Sequence, residues 1–148
     1  MDSAYSEDSL DLEEDLQEEL DRLLSEVERK KGQIRRRRVE KEGLESDLDS
    51  DLEDSLSEID ERLEELKRRR FGLEKKGSQT DQELDEIEHI DRLMSDLRSD
   101  RREKRFRHED LVSDLESVYR SNVEDLEDEI AELEREVQEV VSSIELLD

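Results

Sequence analysis

Cysteine and proline are absent from this 148-residue sequence, and aromatic residues make up only 3% of it. Without cysteine there is neither a disulfide framework nor a thiolate metal site. The absence of proline removes the residue that most strongly breaks a helix interior. Four aromatic residues and an apolar content of 30% cannot fill a globular interior. These absences favour an extended helical protein that needs only a narrow apolar contact.

Charge is what the chain has in abundance. It carries 50 acidic and 25 basic residues, for a net charge of −25. Such a composition is usually typical of disorder. The acidity, and the preference for arginine (18) over lysine (7), also resemble the proteins of salt-in halophilic archaea, where molar salt screens self-repulsion. An ordinary acidic coiled coil has the same features, so both sources stay open.

The apolar residues recur with helical periodicity. Leu52, Leu56, Ile59, Leu63 and Leu66 follow one another at steps of three or four, and similar series cover most of the chain. This spacing places them on one narrow stripe of an α-helix, which is the seam of a coiled coil. The pattern predicts an all-α protein rather than a disordered one.

One segment carries consecutive signals for a helix end and a helix start. Gly77 can adopt the left-handed conformation that ends a helix, and Thr80 with Glu83 forms a capping box for the next one. We therefore divide the chain into a flexible acidic N-terminus at 1–8, a first helical arm at 9–76, a turn at 77–80 and a second arm at 81–147.

The charge blocks favour an antiparallel pairing of the two arms. Residues 29–41, 67–76 and 98–107 carry net charges of +7, +5 and +4, and the intervening segments are acidic. If residue i lies opposite residue 157−i, the first and third of these blocks face acidic stretches. A parallel dimer would instead place each basic block against its own copy, which is unfavourable. The predicted fold is a long antiparallel two-helix coiled-coil hairpin within one chain.

A bundle of shorter helices is the alternative. Breaks near Gly43 and near residues 108–110 would give a four-helix bundle or a spectrin-like bundle. If the hairpin is correct, the first arm could kink at Gly32 or Gly43, because a glycine in a helix interior destabilises the helix by about 1 kcal/mol relative to alanine.

Six polar residues interrupt the apolar stripe. In the register above they lie opposite residues that are mostly acidic, so we interpret them as ionic layers that set the register. We call this set the polar seam: Lys30, Arg37, Lys41, Arg101, Lys104 and His108.

The second basic block, residues 67–76, differs because the register offers it only Glu88 as an acidic neighbour. We call its first five residues the basic tip and predict that they form a partner-binding surface: Lys67, Arg68, Arg69, Arg70 and Phe71. Clustered cations beside an aromatic ring can also contact nucleic acid.

No motif for catalysis stands out. Glu86 and His89 share a helix face, but a di-metal site needs two such pairs and further glutamates. Acid–base catalysis needs carboxylates in a cleft with different environments, which a two-helix rod does not provide. We expect no enzymatic activity, no cofactor and no metal.

The expected function is therefore structural. The sequence favours a scaffold, spacer or assembly arm that binds a protein partner or a second copy of itself. The alternative is a nucleic-acid or nucleoid-associated accessory that binds through residues 67–76. No apolar window is long enough to span a membrane, and no secretory signal follows the acidic N-terminus, so a cytoplasmic location is expected.

Overall fold

Two long helices make up the fold. The computed structural model describes the backbone of residues 2–147 and the side chains of residues 10–147. Helix α1 spans Asp2–Glu74 and helix α2 spans Asp81–Leu147, with no strand in this range. The helices form a hairpin with many contacts between them. The predicted all-α hairpin is confirmed.

The alternative with four shorter helices is wrong. Helix α1 continues without a break through Gly32 and Gly43, and helix α2 continues through residues 108–110. A Cβ atom at Gly43 would meet nothing within 4 Å, so no neighbouring group packs closely enough against this position to require glycine. The glycine lowers helix propensity without ending the helix, since neither a capping box nor a positive φ accompanies it.

The ends of the predicted segments differ slightly from those of the helices. Helix α1 begins at Asp2, within the segment 1–8 for which we predicted flexibility. The side chains of that segment lie outside the described ones, and its flexibility stays a prediction. At the other end α1 stops at Glu74, so the connection begins at residue 75 rather than 77.

The connection is built as the sequence indicates. Gly77 has φ of 76°, the only positive φ in the described chain, and its amide donates to the Glu74 carbonyl. The Thr80 hydroxyl accepts a hydrogen bond from the Glu83 amide at 3.1 Å and lies 3.2 Å from that residue's carboxylate. These contacts satisfy donors at the start of α2 that have no partner within the helix.

A further cap was not visible in the sequence pattern. The side-chain amide of Gln79 donates to the carbonyls of Leu73 and Glu74, each at 3.3 Å. Those carbonyls belong to the last turn of α1, where intrahelical partners run out. A glutamine in a turn has no characteristic spacing, so no sequence rule identifies it as a cap.

The chain divides into two units, each containing a segment of both helices. The central unit is residues Glu42–Glu116, and the terminal unit is Met1–Lys41 with Ser117–Asp148. Buried side chains in the central unit are Ile59, Leu63, Ile90 and Met94, with Leu66, Leu73 and Leu97 packed against them. Those of the terminal unit are Leu23, Val27, Ile130 and Val140.

An acid titration tests the cap at the start of α2. The Lys76 ammonium lies 3.3 Å from the Glu83 carboxylate and, ahead of the Thr80 contacts, lowers the pKa of Glu83 below its ordinary value of 4.5. A carboxyl group with a lowered folded-state pKa stabilises the fold above its unfolded pKa, and this contribution is lost as the pH falls through the folded value. We expect Glu83→Gln to melt below the parent at pH 7, with a difference that shrinks below about pH 4.5.

Glu65→Gln is the matched control, because Glu65 is exposed and forms no ion pair within the described chain. Melting curves followed by circular dichroism from pH 7 to pH 3 give the comparison. Identical pH profiles for the two variants would show that the cap contributes nothing.

Candidate protein-interaction surface

The basic tip has more acidic neighbours than the sequence suggested. Arg69 donates to Glu86 at 2.9 Å, and Arg70 donates to Asp91 at 2.7 and 3.3 Å. The bond to Asp91 is also the main reason that the pKa of Arg70 is raised. Our expectation that only Glu88 faces this block is wrong, because long arginine side chains reach acids that lie up to a turn away along α2.

The remaining members of the basic tip contact their own helix. The Lys67 ammonium lies 3.4 Å from the carboxylate of Glu64, and Arg68 donates to the backbone carbonyl of the same residue at 3.4 Å. Phe71 is 66% exposed. The tip therefore presents an exposed ring beside cations that are already partly neutralised, which weakens the case for it as a phosphate-binding surface.

Two members of the polar seam in the central unit reach acids on α1. His108 Nε2 lies 2.8 Å from Asp49, the residue that the register predicts. Arg101 bonds Asp60 at 2.9 and 3.4 Å rather than lying against the predicted Leu56. Both side chains are half-buried, whereas the two acids are more than half exposed. Both contacts thus lie at the edge of the seam, and the two carboxylates remain exposed to water.

The polar seam of the terminal unit is less regular. The Lys30 ammonium lies 2.8 Å from Glu129, two positions beyond the predicted partner, and its side chain is 17% exposed. The Lys41 ammonium lies 4.9 Å from the centre of the Tyr119 ring, a cation–π contact. Arg37 is exposed rather than inserted between the helices. Whether these residues set the register stays a prediction.

The arginine run at residues 35–38 is largely exposed. Arg36 and Arg37 line a cleft of about 430 Å³ together with Glu40 and with Asp125 of α2. No ion pair within 4 Å joins Arg36 or Arg37 to an acid in the described part of the chain, so these two arginines lie near Asp125 of α2 without pairing with it.

A groove in the central unit was not predicted from the sequence. We call it the acidic groove. It has a volume of about 800 Å³ and an apolar floor at Leu52 and Leu56. The other lining residues are Asp49, Glu53, Ser57, Asp60, Glu61, Glu64, Arg68 and Arg101.

The polar seam explains why this groove exists. Neither residues 42–58 nor residues 95–116 contain a buried side chain. On α2, Arg101 borders the groove, and Lys104 and His108 border a smaller cleft beside Leu52. Leu52 and Leu56 stay half-buried beside these polar side chains of α2. Our register had placed Arg101, a polar side chain, opposite Leu56. That mismatch was the sign of the groove in the sequence, but we interpreted it only as a layer that sets the register.

The Glu86–His89 pair does not assemble a larger cluster. Glu86 is engaged by Arg69, and His89 is exposed. Among the residues whose side chains are described, no three His, Asp or Glu side chains are grouped as metal ligands would be. Across the same residues, neither helix contains a stretch apolar enough to cross a bilayer.

The main features of this surface are a groove with an apolar floor and acidic walls, and several large apolar side chains that face water. Comparisons with known proteins add no family to this description. The chain matches no protein-family model, no curated protein and no solved structure.

Proposed function

We propose that the hairpin is a non-enzymatic protein-interaction arm that acts as a scaffold, spacer or assembly element in the cytoplasm. One observation carries the proposal. In the described part of the chain eight apolar side chains are buried, whereas twelve large apolar side chains are exposed. The centres of protein–protein interfaces are built largely from apolar and aromatic side chains. The hairpin seam therefore uses only part of the apolar surface that this acidic chain carries.

Two of these exposed side chains are aromatic and suit a direct test. Phe71 and Phe106 are each 66% exposed, on α1 and α2 of the central unit. Aromatic residues are enriched at protein interfaces because they bury large areas with few rotatable bonds. We expect each ring to contact a partner in the assembled state.

Photo-cross-linking in the cells that produce the protein provides the measurement. A benzophenone amino acid at position 71 or 106 should yield a discrete adduct with a second protein, identified by mass spectrometry. The same group at position 65, where Glu65 is polar and exposed, is the control and should yield much less intermolecular adduct. If positions 71 and 106 gave no more intermolecular adduct than position 65, the chain would not be an interaction arm.

Nucleic-acid binding is the weaker candidate. Its supporting observation was an uncompensated basic tip, and the contacts of Arg69 and Arg70 with acids on α2 remove most of that support. A net charge of −25 also repels a polyanion at low salt.

A further inference from the structure

The acidic groove is an incomplete apolar contact. Leu52 and Leu56 lie one helical turn apart on α1 and form its floor. Residues of a coiled-coil seam normally pack against apolar side chains of the facing helix. Here the facing helix supplies Arg101, which turns to Asp60 at the groove wall. Two leucines in adjacent turns are therefore left partly exposed at the groove.

The walls of the groove are strongly acidic. Five carboxylates line it, against two arginines. Asp60 and Glu64 are engaged by Arg101 and Lys67, and Asp49 contacts His108. Glu53 and Glu61 form no ion pair or hydrogen bond with any described residue. These two carboxylates leave negative charge beside the apolar floor for a partner to neutralise.

We propose that the acidic groove binds a cationic amphipathic helix of another protein. Apolar side chains of that helix at positions i and i+3 or i+4 would cover Leu52 and Leu56, and flanking Lys or Arg side chains would meet Glu53 and Glu61. This is the helix-in-groove mode of recognition, with charge complementarity selecting the partner. The inference rests on the proposed function and specifies the chemical class of the partner.

Charge complementarity disfavours two other occupants. Nucleic acid is repelled by the groove walls. A second copy of this chain brings a further net charge of −25. The favoured partner is one of opposite charge, whose association with the groove would be steered electrostatically and weakened by salt.

A synthetic helix provides a defined probe. We would use a fluorescein-labelled 18-residue peptide of leucine and lysine with an amphipathic helical pattern, and follow its anisotropy on titration with the full chain. We expect saturable binding. A second peptide with the same lysines, and with every leucine replaced by glutamine, should bind about tenfold more weakly because it cannot cover the apolar floor.

Charge variants locate the site. The double variant E53Q/E61Q should weaken binding of the leucine–lysine peptide about fivefold, since it removes both unpaired carboxylates. The control D54N/E65Q removes the same net charge from two exposed positions on α1 that do not line the groove. Its binding should fall less than twofold.

Three results would overturn the inference. The first is the absence of saturable binding at chain concentrations up to about 0.1 mM. The second is equal weakening by the two double variants, which would indicate attraction to the overall charge alone. The third is a dimer in sedimentation that E53Q/E61Q dissociates, because the groove would then hold a second copy. If one of these results were found while positions 71 and 106 still cross-linked to a second protein, the proposed function would stand. Only the inference of a cationic partner in the groove would be refuted.

Discussion

Replacement of Ile90 by alanine is expected to lower the free energy of unfolding by about 2–4 kcal/mol. Ile90 is 1% exposed, the most completely buried side chain of the described chain, and it packs in a cluster with Ile59, Leu63 and Met94. Removing its outer carbons leaves a cavity that two helices cannot close without shifting their backbones. Urea denaturation followed by circular dichroism at 222 nm gives the value.

Leu93 is the control for this substitution. It lies on the same helix, three residues away, and is 37% exposed. Leu93→Ala should cost less than about 1 kcal/mol, because much of the leucine is already in water. Amide exchange should also accelerate around Ile90 in the isoleucine variant. Equal losses at the two positions would mean that the buried cluster does not hold the central unit together.

The second large effect has the opposite sign. A triple variant with leucine at Arg101, Lys104 and His108 should raise the free energy of unfolding by about 1–4 kcal/mol, since apolar side chains commonly stabilise a contact better than partly buried charges do. The acids left behind, Asp60 and Asp49, are 51% and 70% exposed and therefore stay solvated. Neither becomes a buried charge without a partner.

In this variant the thermal stability should rise while the specificity of the helix register falls. If the polar seam sets the register, the triple variant should melt higher but sediment as a mixture of species, because leucines tolerate several pairings. The control is R98L/R102L, which removes two positive charges at exposed positions of the same helix and should not raise the melting temperature. A triple variant that melts lower than the parent would show that the ionic contacts of Arg101 and His108 contribute more than an apolar seam could.

Much of the fold follows from the sequence because it depends on periodicity and turn chemistry. The apolar stripe determines which face of each helix is covered, and Gly77 with Thr80 determines where the chain reverses. The partner of His108 also followed from the register, since an imidazole is short and reaches only the residue opposite.

The remaining contacts depend on side-chain length, which a register does not describe. Arg101 reaches Asp60, four positions beyond the expected Leu56, because a guanidinium on a long stem can span a helical turn. For the same reason the long Arg70 side chain reaches Asp91, whose carboxylate partly neutralises its charge. The acidic groove was missed for this reason. Once Arg101 turns toward the wall, the leucine that it was expected to cover becomes part of an open floor.

The six-residue connection between α1 and α2 has a consequence for how the molecule folds. Ion pairs and hydrogen bonds between the helices join residues separated by 17, 21, 41, 59 and 99 positions. Each doubling of a closed loop costs about 0.6 kcal/mol of chain entropy, so the contact of longest range is the least favourable to form first. Folding should therefore begin with helix–helix contacts beside Gly77 and then extend along both helices toward the chain termini. The refolding rate of the intact chain should be independent of its concentration, whereas a chain cleaved between residues 77 and 80 should refold at a rate that rises with concentration.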